Sequence, residues 1–148
     1  MLKRNARSYL LDAGFIPWPE ARAYLGISDK CLVQAVRTGA IGPPTVLGKE
    51  EKNLALFGTG ARRKGRHNVW FLKGRVRGLF LAIWGWLTVG QVARLTGKTK
   101  RAIRYWPADA DDRFGRHRFK ATRFLPGVDT ADPDALRAAL VTRGLLAP

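Results

Sequence analysis

The chain has 148 residues, of which 46% are apolar and five are tryptophan, a composition that favours folded cores over a disordered basic tail. It carries 27 Lys and Arg against 11 Asp and Glu, which gives a net charge of +16. This excess predicts a polyanionic partner, because each phosphate that a cation neutralises releases a condensed counterion. Basic ribosomal-type and membrane-surface proteins share this charge balance, so it does not identify the polyanion.

Several classes of protein are excluded by features that the sequence lacks. The longest apolar run, 79–87, is shorter than the about 20 residues that a membrane helix needs. No apolar signal core follows the first residues. Cys31 is the single cysteine, which excludes an intrachain disulfide and a cysteine-based zinc site. We expect a soluble protein of the cytoplasm, associated with the nucleoid, with no membrane partner, no metal and no cofactor.

The first elements that the sequence predicts are two helices between Trp18 and Ile41. Pro19 suits the first turn of the earlier helix, where its missing N–H costs nothing. Gly26 can adopt the left-handed conformation that ends a helix, and Ser28 can then cap the next one. Leu32 is expected to be buried in that second helix. The pattern indicates a helix-turn-helix.

A basic hairpin is predicted after the first pair of helices. Residues 54–57 and 67–71 have strand character and flank a tip rich in Gly and Arg, 58–66. A hairpin in this position is a wing.

The boundary between two units is predicted around Gly85, after a helix or strand that includes 79–84. Residues 1–86 then form the first unit, with 15 basic and 5 acidic side chains, and residues 87–148 the second, with 12 and 6. Both units are basic, so both could contact nucleic acid.

A second pair of helices begins at Thr88. Thr88 and Gln91 are three residues apart, as in a capping box, where each side chain satisfies the other's backbone N–H. Gly97 can end this helix and Thr99 can cap the next one. Pro107 ends that second helix.

A shorter hairpin and a last helix complete the prediction. Residues 113–119 and 121–125 are interpreted as the two strands of a second wing. An amphipathic helix is then predicted from its cap, Asp132, to about Arg143, where Gly144 stops it.

The two pairs of helices are copies of one pattern. Five pairs of similar residues align without a gap at an offset of 71 positions: Glu20 with Gln91, Ala21 with Val92, Gly26 with Gly97, Ser28 with Thr99, and Leu32 with Ile103. The expected fold is therefore α+β, with two tandem winged helix-turn-helix domains and small β-hairpin wings.

Two stretches resemble known DNA-binding families. The stretch from Thr88 to Trp106 resembles the DNA-binding domain of MerR-type regulators, which has an Arg-Tyr pair, here Arg104 and Tyr105, at the end of the second helix. The stretch from Trp18 to Ile41 is similar to the excisionase branch of the same superfamily. The two stretches cover less than a third of the chain. The tandem arrangement is also loosely similar to the end-binding domains of Mu-like phage transposases.

The chain departs from MerR-type regulators after the second wing. Those regulators carry a long dimerisation helix and an effector site there, whereas this sequence has neither heptads nor a cysteine cluster. We therefore expect no small-molecule effector. Two fused units could instead read two adjacent half-sites, as a homodimer does.

Candidate base-reading residues lie on the second helix of each pair, which enters the major groove in helix-turn-helix proteins. Arg can donate two hydrogen bonds to guanine, and Gln can pair with adenine. The candidates are Ser28, Lys30, Gln34 and Arg37, with Asp29 also facing outward, and Thr99, Lys100, Arg101, Arg104 and Tyr105. Tyr105 is expected to donate to a phosphate or to support the wing. A solvated helix face is the alternative.

Candidate phosphate contacts lie on the wings. The residues are Arg62, Arg63, Lys64, Arg66, Arg116, Arg118 and Lys120. Such side chains can follow the phosphate backbone or enter a narrow minor groove. A flexible basic loop without a fixed register is the alternative.

The five tryptophans, Trp18, Trp70, Trp84, Trp86 and Trp106, allow two interpretations. They could stack bases, which would suggest single strands or RNA. They lie mostly in apolar stretches, so we favour core packing.

Catalytic signals are weak throughout. The stretch 97–99 resembles the end of a phosphate-binding loop, but that loop needs an earlier Gly and an upstream strand. Asp109, Asp111 and Asp112 are interpreted as a loop between helix and wing, and Ser28 as a cap. We expect no catalytic residue and no enzyme.

The sequence thus predicts a sequence-specific double-stranded DNA-binding protein, a transcription regulator or recombination factor of phage or mobile-element type. One alternative is an accessory subunit that binds DNA with one unit and a protein of a transcription or recombination complex with the other. A further alternative is a structural RNA-binding protein, which would expose tryptophans on a sheet face.

Overall fold

The structure, a computed structural model, describes residues 6–47, 68–109 and 117–148. The chain divides into two compact units, Met1–Leu79 and Phe80–Pro148. In each unit helices accompany a small antiparallel sheet, an architecture compatible with the expected α+β class. Within these described ranges no helix is long and apolar enough to cross a membrane.

Unit 1 contains a three-stranded antiparallel sheet. Its elements in chain order are α1 (Ala6–Asp12), β1 (Phe15–Pro17), α2 (Trp18–Leu25), α3 (Asp29–Arg37), β2 (Thr45–Val46), β3 (Val69–Leu72) and the start of α4 (Lys73–Trp84). The strand β3 lies between β1 and β2, with Phe71 opposite Ile16. The helix α2 packs against β1 and β3.

Unit 2 contains a two-stranded antiparallel sheet in its described part. After the end of α4 its elements are β4 (Trp86–Thr88), α5 (Val89–Thr96), α6 (Lys100–Arg104), β5 (Arg118–Lys120), a 3-10 turn (Ala121–Arg123) and α7 (Pro133–Thr142). The strands β4 and β5 pair with Leu87 opposite Phe119. The helix α5 packs against both strands and against α6.

Four of the predicted helix starts are confirmed by side-chain caps. Ser28 and Thr99 each accept a hydrogen bond from the backbone N–H three residues later. Thr88 and Gln91 form both hydrogen bonds of the capping box at the start of α5. The carboxylate of Asp132 caps α7. These local interactions satisfy N–H groups that have no partner inside the helix.

The repeat in the sequence is also a repeat in the structure. At the offset of 71 positions, β1 and α2 fall on β4 and α5 residue for residue, and α3 and α6 begin at matching positions. The strands that follow pair in the same register, so Ile16 and Phe71 in unit 1 correspond to Leu87 and Phe119 in unit 2. All four side chains are buried.

The backbone hydrogen bond beside these strand pairs also recurs. Lys73 donates its N–H to the carbonyl of Gly14 at 2.9 Å, and Ala121 donates its N–H to the carbonyl of Gly85 at 2.9 Å. The two units therefore share one backbone arrangement in the first strand, the first helix, the start of the second helix and the closing strand.

The expected hairpin between 113–119 and 121–125 is wrong. The strand β5 pairs with β4, which precedes the helices, and Ala121–Arg123 form a 3-10 turn. Ala121 and Leu125 are buried while the residues between them are not, and a spacing of four suits a helical turn better than the alternation of a strand.

The first expected hairpin is described only in part. The predicted strand 67–71 corresponds to β3, whose partners are β1 and β2. Its expected partner, 54–57, and the tip, 58–66, lie outside the described residues. The apolar stretch 79–84 lies in α4, one of its two expected conformations.

Two Gly→Ala substitutions should have opposite effects on stability. Gly97 ends α5 with φ 72°, and an added Cβ would meet no atom within 4 Å, so strain would come from the backbone alone. Gly97→Ala should lower the free energy of unfolding by about 1–2 kcal/mol. Gly78 lies inside α4, and a Cβ added there would also meet no atom within 4 Å. Gly78→Ala should therefore raise the free energy of unfolding by about 0.5–1 kcal/mol. Urea unfolding measures both, and effects of the same sign would contradict the assigned helix end.

Candidate nucleic-acid interface

The helix α3 presents a polar face to solvent. It follows the cap Ser28, whose hydroxyl oxygen accepts the N–H of Cys31 at 3.3 Å while its hydrogen can still donate. Leu32 is fully buried and fixes the rotation of the helix. The exposed candidates on the helix are Lys30, Gln34 and Arg37. Their spacing of four and then three residues places them on one face.

Asp29, which the sequence pattern placed among the outward residues, holds the start of α3 against α2. Its Oδ1 accepts the indole N–H of the buried Trp18 at 2.9 Å. Nη1 of Arg22 lies 3.5 Å from the same oxygen. These contacts give the carboxylate a structural role at the start of α3.

The helix α6 is shorter and more basic. Thr99 caps it by accepting the N–H of Ala102 at 3.2 Å, and Ile103 is fully buried beneath it. The exposed candidates are Lys100, Arg101 and Arg104. Tyr105 follows the helix and is 81% exposed. Its phenol can therefore donate to a phosphate.

The shared backbone arrangement brings three pairs of predicted residues to equivalent positions. At the offset of 71, Ser28 matches Thr99, Lys30 matches Arg101 and Gln34 matches Tyr105. Lys30 and Arg101 are each the second residue of their helix and each is exposed. An exposed cation at the same place in both units is the feature that the two helices have in common.

The predicted wing residues are described only on β5. Nη1 of Arg118 donates to the carbonyl of Trp86 at 3.4 Å, and burial lowers the pKa of this guanidinium from its usual value. Lys120 is exposed, with Nζ 5.5 Å from the ring centre of Trp86. Arg118 thus supports the strand pair, while Lys120 faces solvent. The other wing candidates, Arg62, Arg63, Lys64, Arg66 and Arg116, lie outside the described residues.

Three of the five tryptophans lie in the core, and the other two are partly exposed. Trp18, Trp70 and Trp84 are at most 7% exposed. Trp86 and Trp106 are half-buried, and each has a lysine ammonium over its ring. The interpretation as core packing is confirmed for the first three.

Asp109 stabilises β5 on the side away from β4, a role that the sequence interpretation missed. Its N–H donates to the carbonyl of Arg118 at 3.0 Å, and its carboxylate accepts the N–H of Lys120 at 2.8 Å. In unit 1, β2 pairs with β3 at the matching position. Within the described residues of unit 2, the backbone and carboxylate of Asp109 therefore lie where β2 lies in unit 1.

Two cations that are not among the predicted DNA-binding residues lie beside Lys100. Arg94 of α5 and Lys98 of the turn line an open depression of about 580 Å³ together with Lys100. Sequence reasoning considered only the second helix of the pair, so it had no reason to select a residue of α5. Among the described residues no group of three or more His, Cys, Asp or Glu side chains comes together as a metal site.

Comparison with models of known protein families, with curated proteins and with solved structures gives no match.

Removing the carboxylate of Asp109 should destabilise unit 2. Asp109→Ala leaves the N–H of Lys120 and the guanidinium of Arg123, now 2.8 Å from Oδ1, without this acceptor. We expect a loss of about 1–3 kcal/mol in the free energy of unfolding. Arg123→Gln removes a half-exposed ion pair and an exposed hydrogen bond to the carbonyl of Pro107 but leaves the bond between Asp109 and the N–H of Lys120, so it should cost less than Asp109→Ala, about 1 kcal/mol. Chemical unfolding compares the two, and equal losses would contradict the role of Asp109 on β5.

Proposed function

We propose that this protein is a sequence-specific double-stranded DNA-binding protein built from two tandem winged helix-turn-helix units. The observation that carries the proposal is the repeated strand–helix–turn–helix–strand unit, in which the same backbone frame presents an exposed cation at the second position of each second helix. A duplicated basic unit suits a duplex, because the major groove returns to the same face every helical turn.

The residue types on the two exposed faces suit base readout. An α-helix fits the major groove of B-DNA, where Arg and Lys donate to guanine and Gln pairs with adenine. The helix α3 contributes Lys30, Gln34 and Arg37, and α6 contributes Arg101 and Arg104. The resemblance to MerR-type and excisionase domains supports the same role, that of a phage or mobile-element regulator or recombination factor.

We assign the basic residues that precede β3 and β5 in the sequence, where the wings are expected, to contacts with the phosphate backbone. The predicted basic residues from 62 to 66 stand in sequence between β2 and β3, and Arg116 stands between Asp109 and β5. Basic side chains next to a recognition helix typically fix its register on the duplex through phosphate contacts.

The burial of the tryptophans favours duplex DNA over RNA. Proteins that bind single strands stack bases on exposed aromatic rings. Here Trp18, Trp70 and Trp84 are buried, and Trp86 and Trp106 are half-buried, each with a lysine ammonium above its ring. The RNA alternative expected tryptophans exposed on a sheet face, and these five residues do not provide that surface.

A second function is favoured by the difference between α3 and α6. The helix α6 has three cations in five residues, whereas α3 has two cations and one acid in nine. Unit 2 would then bind DNA, while unit 1 binds a protein of a transcription or recombination complex. The two functions differ in whether the face of α3 contributes to DNA affinity.

The experiment that tests the proposal is a binding-site selection with the full chain on random duplex DNA. Titrations of the selected site and of random duplex at several salt concentrations follow. We expect a bipartite motif and an affinity for it at least 10³-fold above that for random duplex. A single short half-site would favour the second function. Equal binding to all duplexes and to RNA would rule out sequence-specific recognition.

Charge reversal at the matched positions should weaken DNA binding in both units. Lys30→Glu and Arg101→Glu each replace an attraction to the duplex with a repulsion, and we expect each to reduce affinity for the selected site by about tenfold or more, which corresponds to about 1.4 kcal/mol. Arg7→Glu, at an exposed residue of α1, is the control for net charge. A loss with Arg101→Glu alone would assign DNA binding to unit 2.

A further inference from the structure

The depression on unit 2 is built from the N-terminal turn of α5, the turn after α5 and the first residue of α6. Its lining includes Gly90 at the start of α5 and the cations Arg94, Lys98 and Lys100. A Cβ at Gly90 would lie 3.6 Å from Cε and 4.0 Å from Nζ of Lys100. The amine of Lys100 therefore lies beside the N-terminal turn of α5, next to the positive end of the helix dipole.

Two of the three cations are held in place by other parts of unit 2. Nη2 of Arg94 donates to the carbonyl of Gly144, just after α7. Nζ of Lys98 lies 5.0 Å from the ring centre of Trp106. These contacts restrict the side chains without neutralising them, so an anion that enters the depression has less side-chain entropy to remove.

Unit 1 provides an internal comparison, because its backbone matches unit 2 over these elements. At the offset of 71, the three cations correspond to Ala23, Ile27 and Asp29. Glu20 and Arg22 are further charged residues at matching positions of this surface. The lining thus carries three positive charges in unit 2, and two acids with one cation in unit 1.

The difference therefore comes from side chains and not from the fold. The glycine that ends the first helix is present in both units, as Gly26 and Gly97, and so is the hydroxyl cap, as Ser28 and Thr99. The three cations are not needed to build this frame, since unit 1 forms it without them.

We propose that the depression lined by Arg94, Lys98 and Lys100 binds one backbone phosphate of a nucleic acid, and that unit 1 has no equivalent phosphate site. Unit 2 then anchors the chain to the backbone through its first helix and turn, in addition to any contact by α6. The nucleic acid as ligand rests on the proposed function, whereas the binding of a phosphate group can be measured without it.

The first test is an NMR titration of the full chain with inorganic phosphate, in which phosphate replaces chloride so that the ionic strength stays constant. We expect saturable shifts of the backbone amides of Gly90, Gln91 and Lys98, and no comparable shifts at Ala23 and Ile27. Absent shifts in unit 2, or equal shifts in both units, would overturn the proposal.

The second test compares two double variants of equal charge. Arg94→Gln with Lys98→Gln should abolish the phosphate shifts and reduce the slope of log K against log[salt] by about 1 on any duplex. Arg7→Gln with Lys73→Gln, at exposed residues of unit 1, should leave the shifts unchanged. Thermal unfolding checks that both variants fold. An unchanged salt slope in the first variant would contradict the phosphate contact.

The two proposals can fail separately. Sequence-specific duplex binding without phosphate shifts would overturn only the phosphate site. Phosphate shifts confined to unit 2, together with no preference among duplexes, would overturn only sequence-specific recognition.

Discussion

Antiparallel pairing between the strand before each pair of helices and the strand after it is the constraint on which both units depend. The pairing places Ile16 against Phe71 and Leu87 against Phe119, and burial of each such side chain contributes about 1.5–3 kcal/mol. A shift of the register by one residue would turn these side chains to the opposite face of the sheet. Because α2 and α5 begin at the residue after the first strand, the register also fixes where each pair of helices starts.

The two units share this pairing of strands around two helices, and they differ in the elements next to the paired strands. The strand β2 supports β3 in unit 1, whereas the backbone and carboxylate of Asp109 support β5 in unit 2. The last strand continues into the long helix α4 in unit 1 and into a 3-10 turn in unit 2. The surface of the first helix and turn is mixed in charge in one unit and wholly cationic in the other. Binding properties depend on such surface residues, so two units with one frame can bind different ligands.

The candidate site was predictable where it depends on one helix. The spacing of Lys30, Gln34 and Arg37 around Leu32 is a property of helix geometry, and the structure exposes these three side chains and buries the fourth. Arg94 and Lys98 were missed because their nearness to Lys100 depends on the turn between α5 and α6. Asp29 and Asp109 were assigned to the surface or to a loop because their partners, the indole of Trp18 and the strand β5, are distant in sequence.

The starts of α3, α5, α6 and α7, the glycine ends of α2 and α5, the repeat and the basic character of the chain can all be predicted from the sequence. Caps such as Ser28 and Thr99 and the glycines at positions 26 and 97 act within a few residues, so their chemistry can be read locally. Only the tertiary structure decided the partners of the strands. The strands β4 and β5 are three residues long and pair across the whole helical segment, so their stability comes from side chains supplied by distant parts of the chain. The sequence pattern predicts a strand at residues 121–125. The structure has a turn there, because Ala121 and Leu125 are both buried on one side.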